Sequence, residues 1–469
     1  MKMLQLFFLL VILTALAGGT LYGNTVIKGE VKNAGNRDIR IRKYQDYLSM
    51  TPVQLAKVQP GENGQFTLNF FISQTEYMIL SIGFKEAYLF VQPGDTLTLE
   101  IDYKTRIEKP QGTLPLKQPL DIKFGKDRDT SIQGRVFEFD SLFSSSFTAE
   151  KIKYIIYQRN VKMYDSLKHM LMEQVEKMNN PYLHTYAEYS LLQFEYQIYP
   201  QRMRDIGEKY IAGRELQYRH LEYMKSFESF VRSYVPARSK NISPAALADS
   251  INKGRGIKAL DNLLGKDTIF RNEQLREMAS IALLKNCYSN ENYKRKAVSD
   301  LLGEISEKSK FPRHKQMARN VKLQLQKNTS DRPVKDFAFP EYSGDSIRIS
   351  DYRGRYLLLN FFQADCLHSR LEMDVMNKLY KEHQNNIYLL SISLDDQYNK
   401  YERFVRSSDY PWDIVHFAWQ YELVDYFRLR SVPRFMLLNY DGTIYKEYIP
   451  ALSKGGLEQI NRLMEKIRK

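Results

Sequence analysis

The chain has 469 residues, 43% hydrophobic and 26% charged, a balance ordinary for globular protein that excludes long disorder and a multi-span membrane protein. Its 69 lysines and arginines outnumber 55 acidic residues, giving a formal charge of +14. The excess is spread along the sequence without a basic stripe or a nucleic-acid module, so no nucleic-acid partner is expected.

Two cysteines, Cys287 and Cys366, exclude a disulfide-stapled framework and a Cys-rich zinc or iron–sulfur site. The seven histidines form no His-x-x-x-His pair, and neither a phosphate loop nor a G-x-G-x-x-G fingerprint occurs. No metal and no cofactor are therefore expected.

Lys2 is followed by an uncharged run, Met3 to Tyr22, with an apolar heart at Leu6 to Ala17 and small residues after it. This is the pattern of a secretory signal peptide, spanning residues 1–23 and cut between Gly19 and Asn24. Membrane anchoring follows only if that segment stays uncleaved. No cysteine lies near the cut, so a lipoprotein anchor is excluded and a periplasmic location is expected.

From Thr25 to Tyr103, short alternating segments separated by Gly, Asn and Pro predict strands at Val26–Val31, Gly64–Phe70, Tyr77–Ile82 and Thr96–Ile101. They predict an N-terminal all-β sandwich over residues 24–125, an accessory module without a catalytic cluster. Residues 126–330 change to helical periodicity and predict a helical middle domain. Thr148 is placed to cap a helix from Ala149 to about Met178, and Asn180-Pro181 to start the next. Further helices are predicted near residues 206–235, 245–264 and 272–286. Cys287, at the end of an apolar helical run, reads as a buried thiol. Pro312 and the polar stretch Lys327 to Asp331 mark the next boundary.

Residues 331–469 alternate between strand and helix, the order of a small α/β fold with helices on a mixed sheet. Tyr356–Phe362 and Ile387–Leu394 are continuous apolar runs of strands buried on both faces. Helices are predicted at Leu371–His383, Tyr401–Arg406, Gln420–Arg428 and Leu457–Arg468. Strands Phe435–Asn439 and Thr443–Tyr448 flank the Asp441-Gly442 turn.

Cys366 falls between strand Tyr356–Phe362 and the following helix, where the helix N-terminus favours a thiolate. His368 is placed to stabilise that thiolate, Ser369 to donate a hydrogen bond to the sulfur, and Asp365 to oppose ionisation. Val432-Pro433, just before strand Phe435–Asn439, is a candidate cis peptide.

These residues resemble the thioredoxin-like redoxins of the TlpA/ResA type, secreted thiol–disulfide oxidoreductases. The resemblance runs through Pro333-Val334-Lys335-Asp336-Phe337 with Gly344, Ile349-Ser350-Asp351-Tyr352-Arg353-Gly354-Arg355, Leu358 to Phe362, Ser393-Leu394-Asp395, Val432-Pro433 and Asp441-Gly442. It implies a C-terminal α/β thioredoxin-like fold in which Pro433 lies against the active-site sulfur. The three-part organisation also resembles secreted TlpA-like proteins of Bacteroidetes.

The departure concerns mechanism. Where the family has W-C-x-x-C, this chain reads Asp365-Cys366-Leu367-His368-Ser369, so the second thiol of a dithiol exchange is replaced by Ser369. The expectation is monothiol exchange: Cys366, with its sulfur exposed, forms mixed disulfides with client proteins or small thiols, and an external thiol resolves them. The alternative is a non-catalytic binding or assembly module that keeps only the fold. One-cysteine peroxidase chemistry fails to match, because peroxidases of this fold have Thr or Ser three residues before the cysteine and a Pro further back, where Gln363 and Leu359 stand here. Cys287 would serve as a remote resolving thiol only if the helical domain folded over Cys366.

Overall fold

The computed structural model describes residues 23–35, 37–103, 114–326, 333–340 and 345–467. Residues 1–22 of the signal segment, the 327–331 stretch and Gly344 lie outside the described residues. The described residues divide into two units: one takes 23–80, 87–103 and 121–324 where described, the other 81–86, 114–120 and the described residues from 325 on.

The strands come first in the chain. They are β1 (Gly23–Lys32), β2 (Ile39–Tyr44), β3 (Pro52–Val58), β4 (Gln65–Ile72), β5 (Glu76–Ile82), β6 (Lys85–Val91) and β7 (Thr96–Asp102). Two short strands of the second unit follow, β8 (Leu114–Pro115) and β9 (Gln118–Pro119), then β10 (Ile122–Phe124). One sheet of the first unit runs β10-β7-β1-β4, with β1 parallel to β7 and antiparallel to β4. The other carries β3, β2, β5 and β6 in that order. The predicted alternation is plain in β4, where Phe66, Leu68, Phe70 and Ile72 are buried and the residues between them exposed. Gly29 is required where it stands: a Cβ there would lie 1.8 Å from the Leu99 carbonyl oxygen of the paired strand.

The helical part is cut finer than periodicity predicts. After α1 (Ile132–Ser146), the expected helix over 149–178 is two, α2 (Ala149–Tyr157) and α3 (Val161–Lys177). Arg159 breaks them apart at φ 51°, and Asn160 caps the second by accepting from the Met163 amide at 3.0 Å. Thr148 caps α2, and Asn180 with Pro181 opens α4 (Pro181–Ile198), both as expected. The 206–235 stretch likewise divides into α5 (Met203–Tyr210) and α6 (Leu221–Tyr234). The 245–264 stretch divides into α7 (Pro244–Asn252) and α8 (Ile257–Leu264), around Gly254 and Gly256 at φ 65° and 75°.

Asn272 caps α9 (Glu273–Cys287), followed by α10 (Arg295–Lys308) and α11 (Pro312–Gln326). Pro312 thus opens a helix rather than marking a boundary, because its missing N–H costs nothing at the first helical position. Four of the tyrosines here, Tyr164, Tyr189, Tyr223 and Tyr234, are fully buried in the core. Cys287 is buried as expected, and burial pushes its thiol up to about 12.

In the second unit, β11 (Ala338–Pro340) pairs with β12 (Ser346–Arg348) ahead of the central strand β13 (Tyr356–Phe362). Then come α12 (Leu367–His383), β14 (Ile387–Ser393), α13 (Tyr398–Arg406), β15 (Asp413–His416), α14 (Tyr421–Tyr426), β16 (Ser431–Val432), β17 (Arg434–Leu438), β18 (Ile444–Ile449) and α15 (Gly456–Ile467). The sheet order is β15-β14-β13-β17-β18. Strand β13 is parallel to β14 and antiparallel to β17. Leu357 to Phe362 are all buried, as the unbroken apolar run predicts for a strand covered on both faces. Strand β15 was not anticipated, because its four residues, Asp413-Ile414-Val415-His416, carry too little pattern.

Candidate functional site

The register of the central sheet decides where the chemistry lies. Phe361 of β13 faces Arg434 of β17, so the C-terminal end of β13 and the N-terminal end of β17 share one edge of the sheet. The chain leaves β13 there towards Cys366, and Pro433 enters β17 there through a cis Val432–Pro433 peptide. Cys366 is the N-cap residue of α12, which begins at Leu367 and not at Leu371 as periodicity predicts. Its amide donates to the Gln363 carbonyl at 3.0 Å, and its own carbonyl accepts from Arg370 at 3.2 Å, closing the first helical turn.

The loop before the cysteine is pinned from below. The Ala364 amide donates to Asp395 Oδ2 at 2.9 Å, the Ser393 hydroxyl donates to the same oxygen at 2.7 Å, and Gln363 Nε2 donates to the Leu394 carbonyl at 3.2 Å. Arg370 Nε closes the loop on the Ala364 carbonyl at 2.6 Å. Asp395 is buried, and desolvation pushes its carboxyl up to about 6 despite these donors. His416 Nε2 donates to the Asp395 carbonyl at 2.7 Å while its Nδ1 accepts from the Ala418 amide at 3.1 Å. These partners assign the neutral tautomer, and burial lowers the ring's affinity for a proton.

Three expectations about the cysteine change on meeting this geometry. The sulfur was expected to be exposed; Cys366 is 3% exposed and sits in one apolar cluster with Leu116, Leu394, Phe427 and Val432. Ser369 was expected to donate to the sulfur; it is 0% exposed and its Oγ has no hydrogen-bond partner. The turn of the helix aims it inward without bringing it to a polar group. His368 was placed to face a thiolate; it is exposed, one position round the helix from buried Ser369. Asp365 does not stand alone either: Lys400 Nζ lies 2.6 Å from its carboxylate. Both cysteines are free thiols.

Sequence reasoning missed Lys400 and the structural part played by Asp395 and His416. Only the Ser393-Leu394-Asp395 string gave a signal, as the end of a buried strand. It also missed the segment around β8, which pairs with β16 (Ser431 facing Pro115, Val432 facing Leu114) immediately before Pro433.

A central sheet with parallel and antiparallel pairs, a cysteine at the N-cap of the helix after its middle strand and a cis proline on the same edge define a thioredoxin-like fold. The AhpC/TSA family profile matches residues 331–446 of this chain. The thiol-disulfide oxidoreductase ResA of Geobacillus kaustophilus is 25% identical over 134 residues, 28% of this chain and 75% of that protein. The thioredoxin-like protein YneN of Bacillus subtilis is 26% identical over 130 residues, 26% of this chain and 74% of that protein. A solved thiol-disulfide oxidoreductase from Bacteroides fragilis is 28% identical and covers 28% of this chain and 99% of its own, with a TM-score of 0.25. The C-terminal domain is thus similar to thiol–disulfide oxidoreductases. Among the described residues, no helix is long and apolar enough to cross a membrane.

Proposed function

We propose that this protein is a periplasmic thioredoxin-like protein that carries out monothiol exchange through Cys366, held closed in the form described here. The observation that carries the reading is the single cysteine kept at the N-cap of α12, on the sheet edge it shares with Pro433. The Met3–Tyr22 segment supports secretion. The parts of residues 24–125 and 126–330 that belong to the first unit are accessory modules in this reading.

The exchange is redox-neutral. The Cys366 thiolate attacks one sulfur of a client or small-molecule disulfide, the Cys366–S–S bond forms as the substrate S–S bond breaks, and the leaving thiolate takes up a proton. Ser369 offers no second thiol, so an external thiolate attacks the mixed disulfide and returns Cys366. Attack needs an unobstructed line to the sulfur, which a residue 3% exposed does not offer, so exchange belongs to an opened form. His368 is an exposed group on the first turn of α12, and Pro433 enters β17 on the same edge of the sheet.

A second reading is favoured by the same burial: with the thiol covered and Ser369 at the resolving position, the domain is a binding or assembly module that performs no exchange. Incubation with oxidised glutathione separates the two. The exchange reading expects one glutathione adduct, mapped to Cys366 by peptide mass, lost in Cys366→Ser and reversed by added reduced glutathione. An adduct that never forms on Cys366, even under mild destabilisation that leaves the fold intact, supports the binding module instead.

A further inference from the structure

We infer that residues 114–116 form an internal cover over the exchange site, occupying the backbone edge that an extended client segment would use; the inference rests on the exchange reading above. Strand β8 is antiparallel to β16, and the Leu116 amide extends the ladder by donating to the Arg430 carbonyl at 2.9 Å. The paired residues, Ser431 and Val432, directly precede Pro433. An exposed strand edge offers unpaired N–H and C=O groups, and a second backbone satisfies them by strand addition without regard to side chains. Here the chain's own segment takes that place, and Leu116, itself 3% exposed, joins the apolar cluster that buries Cys366.

Two anchors downstream hold the segment. Lys117 Nζ lies 3.0 Å from the Glu86 carboxylate and 2.7 Å from that of Asp425. The Gln118 and Leu120 amides donate to the carbonyls of Phe84 and Glu86 at 3.1 and 2.9 Å. Phe84 in turn stacks on Phe417 with ring centroids 5.5 Å apart. The cover itself is the short part: two paired residues and one further hydrogen bond, from a segment far away in sequence. A contact of that size opens locally without unfolding the sheet behind it. A client peptide that displaces β8 therefore takes over its hydrogen bonds and uncovers the thiol in one event.

The test uses the full chain and follows alkylation of Cys366 by iodoacetamide, mapped by peptide mass so that Cys287 is scored apart. Leu116→Pro removes both the amide donor and the buried side chain; Leu116→Ala removes the side chain alone; Lys117→Ala loosens the nearest anchor and, on a half-exposed side chain, carries the test if the proline variant does not fold. The expected result is slow alkylation of the wild type and a rate raised about tenfold or more in Leu116→Pro, with faster amide exchange at Ser431 and Val432. Equal rates in wild type and variants, with exchange showing β8 released, overturn the cover. Oxidised glutathione distinguishes the two ideas. If Leu116→Pro uncovers Cys366 to alkylation but no adduct forms, the cover stands and the exchange reading falls. If the wild type forms the adduct as fast as the variant, the exchange reading stands and the cover falls.

Discussion

At the level of single residues, Asp395 has the most measurable consequence. Its carboxyl, pushed up to about 6 by burial, lies above the value near 3.9 expected of an unfolded chain. Between those values the folded state holds the proton more often, so this group favours folding fully below about pH 4 and loses that contribution as pH rises through about 6. Asn at this position keeps an oxygen for the Ala364 amide and the Ser393 hydroxyl but does not titrate. In urea unfolding, wild-type stability is predicted to fall relative to Asp395→Asn by about 1–2 kcal/mol between about pH 5 and about pH 8. Parallel pH profiles would refute the assignment. Cys366 and Pro433 were legible in the sequence because an N-cap cysteine and an X-Pro before a strand are local signals. The burial of Cys366, the inward turn of Ser369 and the Lys400 partner of Asp365 were not, since each depends on which way a helix faces once packed.

At the level of elements, the sequence revealed where helices exist better than where they stop. The run from Ala149 to Met178 keeps its apolar spacing through Arg159, and only the positive φ adopted there, which no helical period registers, separates α2 from α3. Asn160 is the residue that makes the second start possible. Asn160→Ala is expected to cost about 1 kcal/mol in thermal or urea unfolding, through the lost cap on the Met163 amide; a loss near zero would mean that water replaces it fully. Strands β13 and β14 were read nearly to the residue, because two-sided burial leaves long apolar runs that have no other use. Strands β8 and β16, of two residues each, carry no pattern at all, and they pair across a long stretch of chain.

For the whole molecule, the three-part plan of β-rich start, helical middle and α/β end was legible from changes of period along the chain. What the period could not reveal is that residues 81–86 and 114–120 belong with the C-terminal unit. That assignment places the segment around Leu116 in the same unit as Cys366, as the proposed cover requires. The most direct measurement of this account is insulin disulfide reduction, with dithiothreitol as reductant, by the double variant Leu116→Pro/Ser369→Cys. Leu116→Pro alone uncovers one thiol and is predicted to form an adduct without turnover. The double variant supplies the second sulfur in a buried position of the same shape and is predicted to turn over at least about ten times faster than either single variant. A folded double variant that reduces insulin no faster than wild type would contradict the claim that Cys366 is an exchange site lacking only an opening and a resolving thiol.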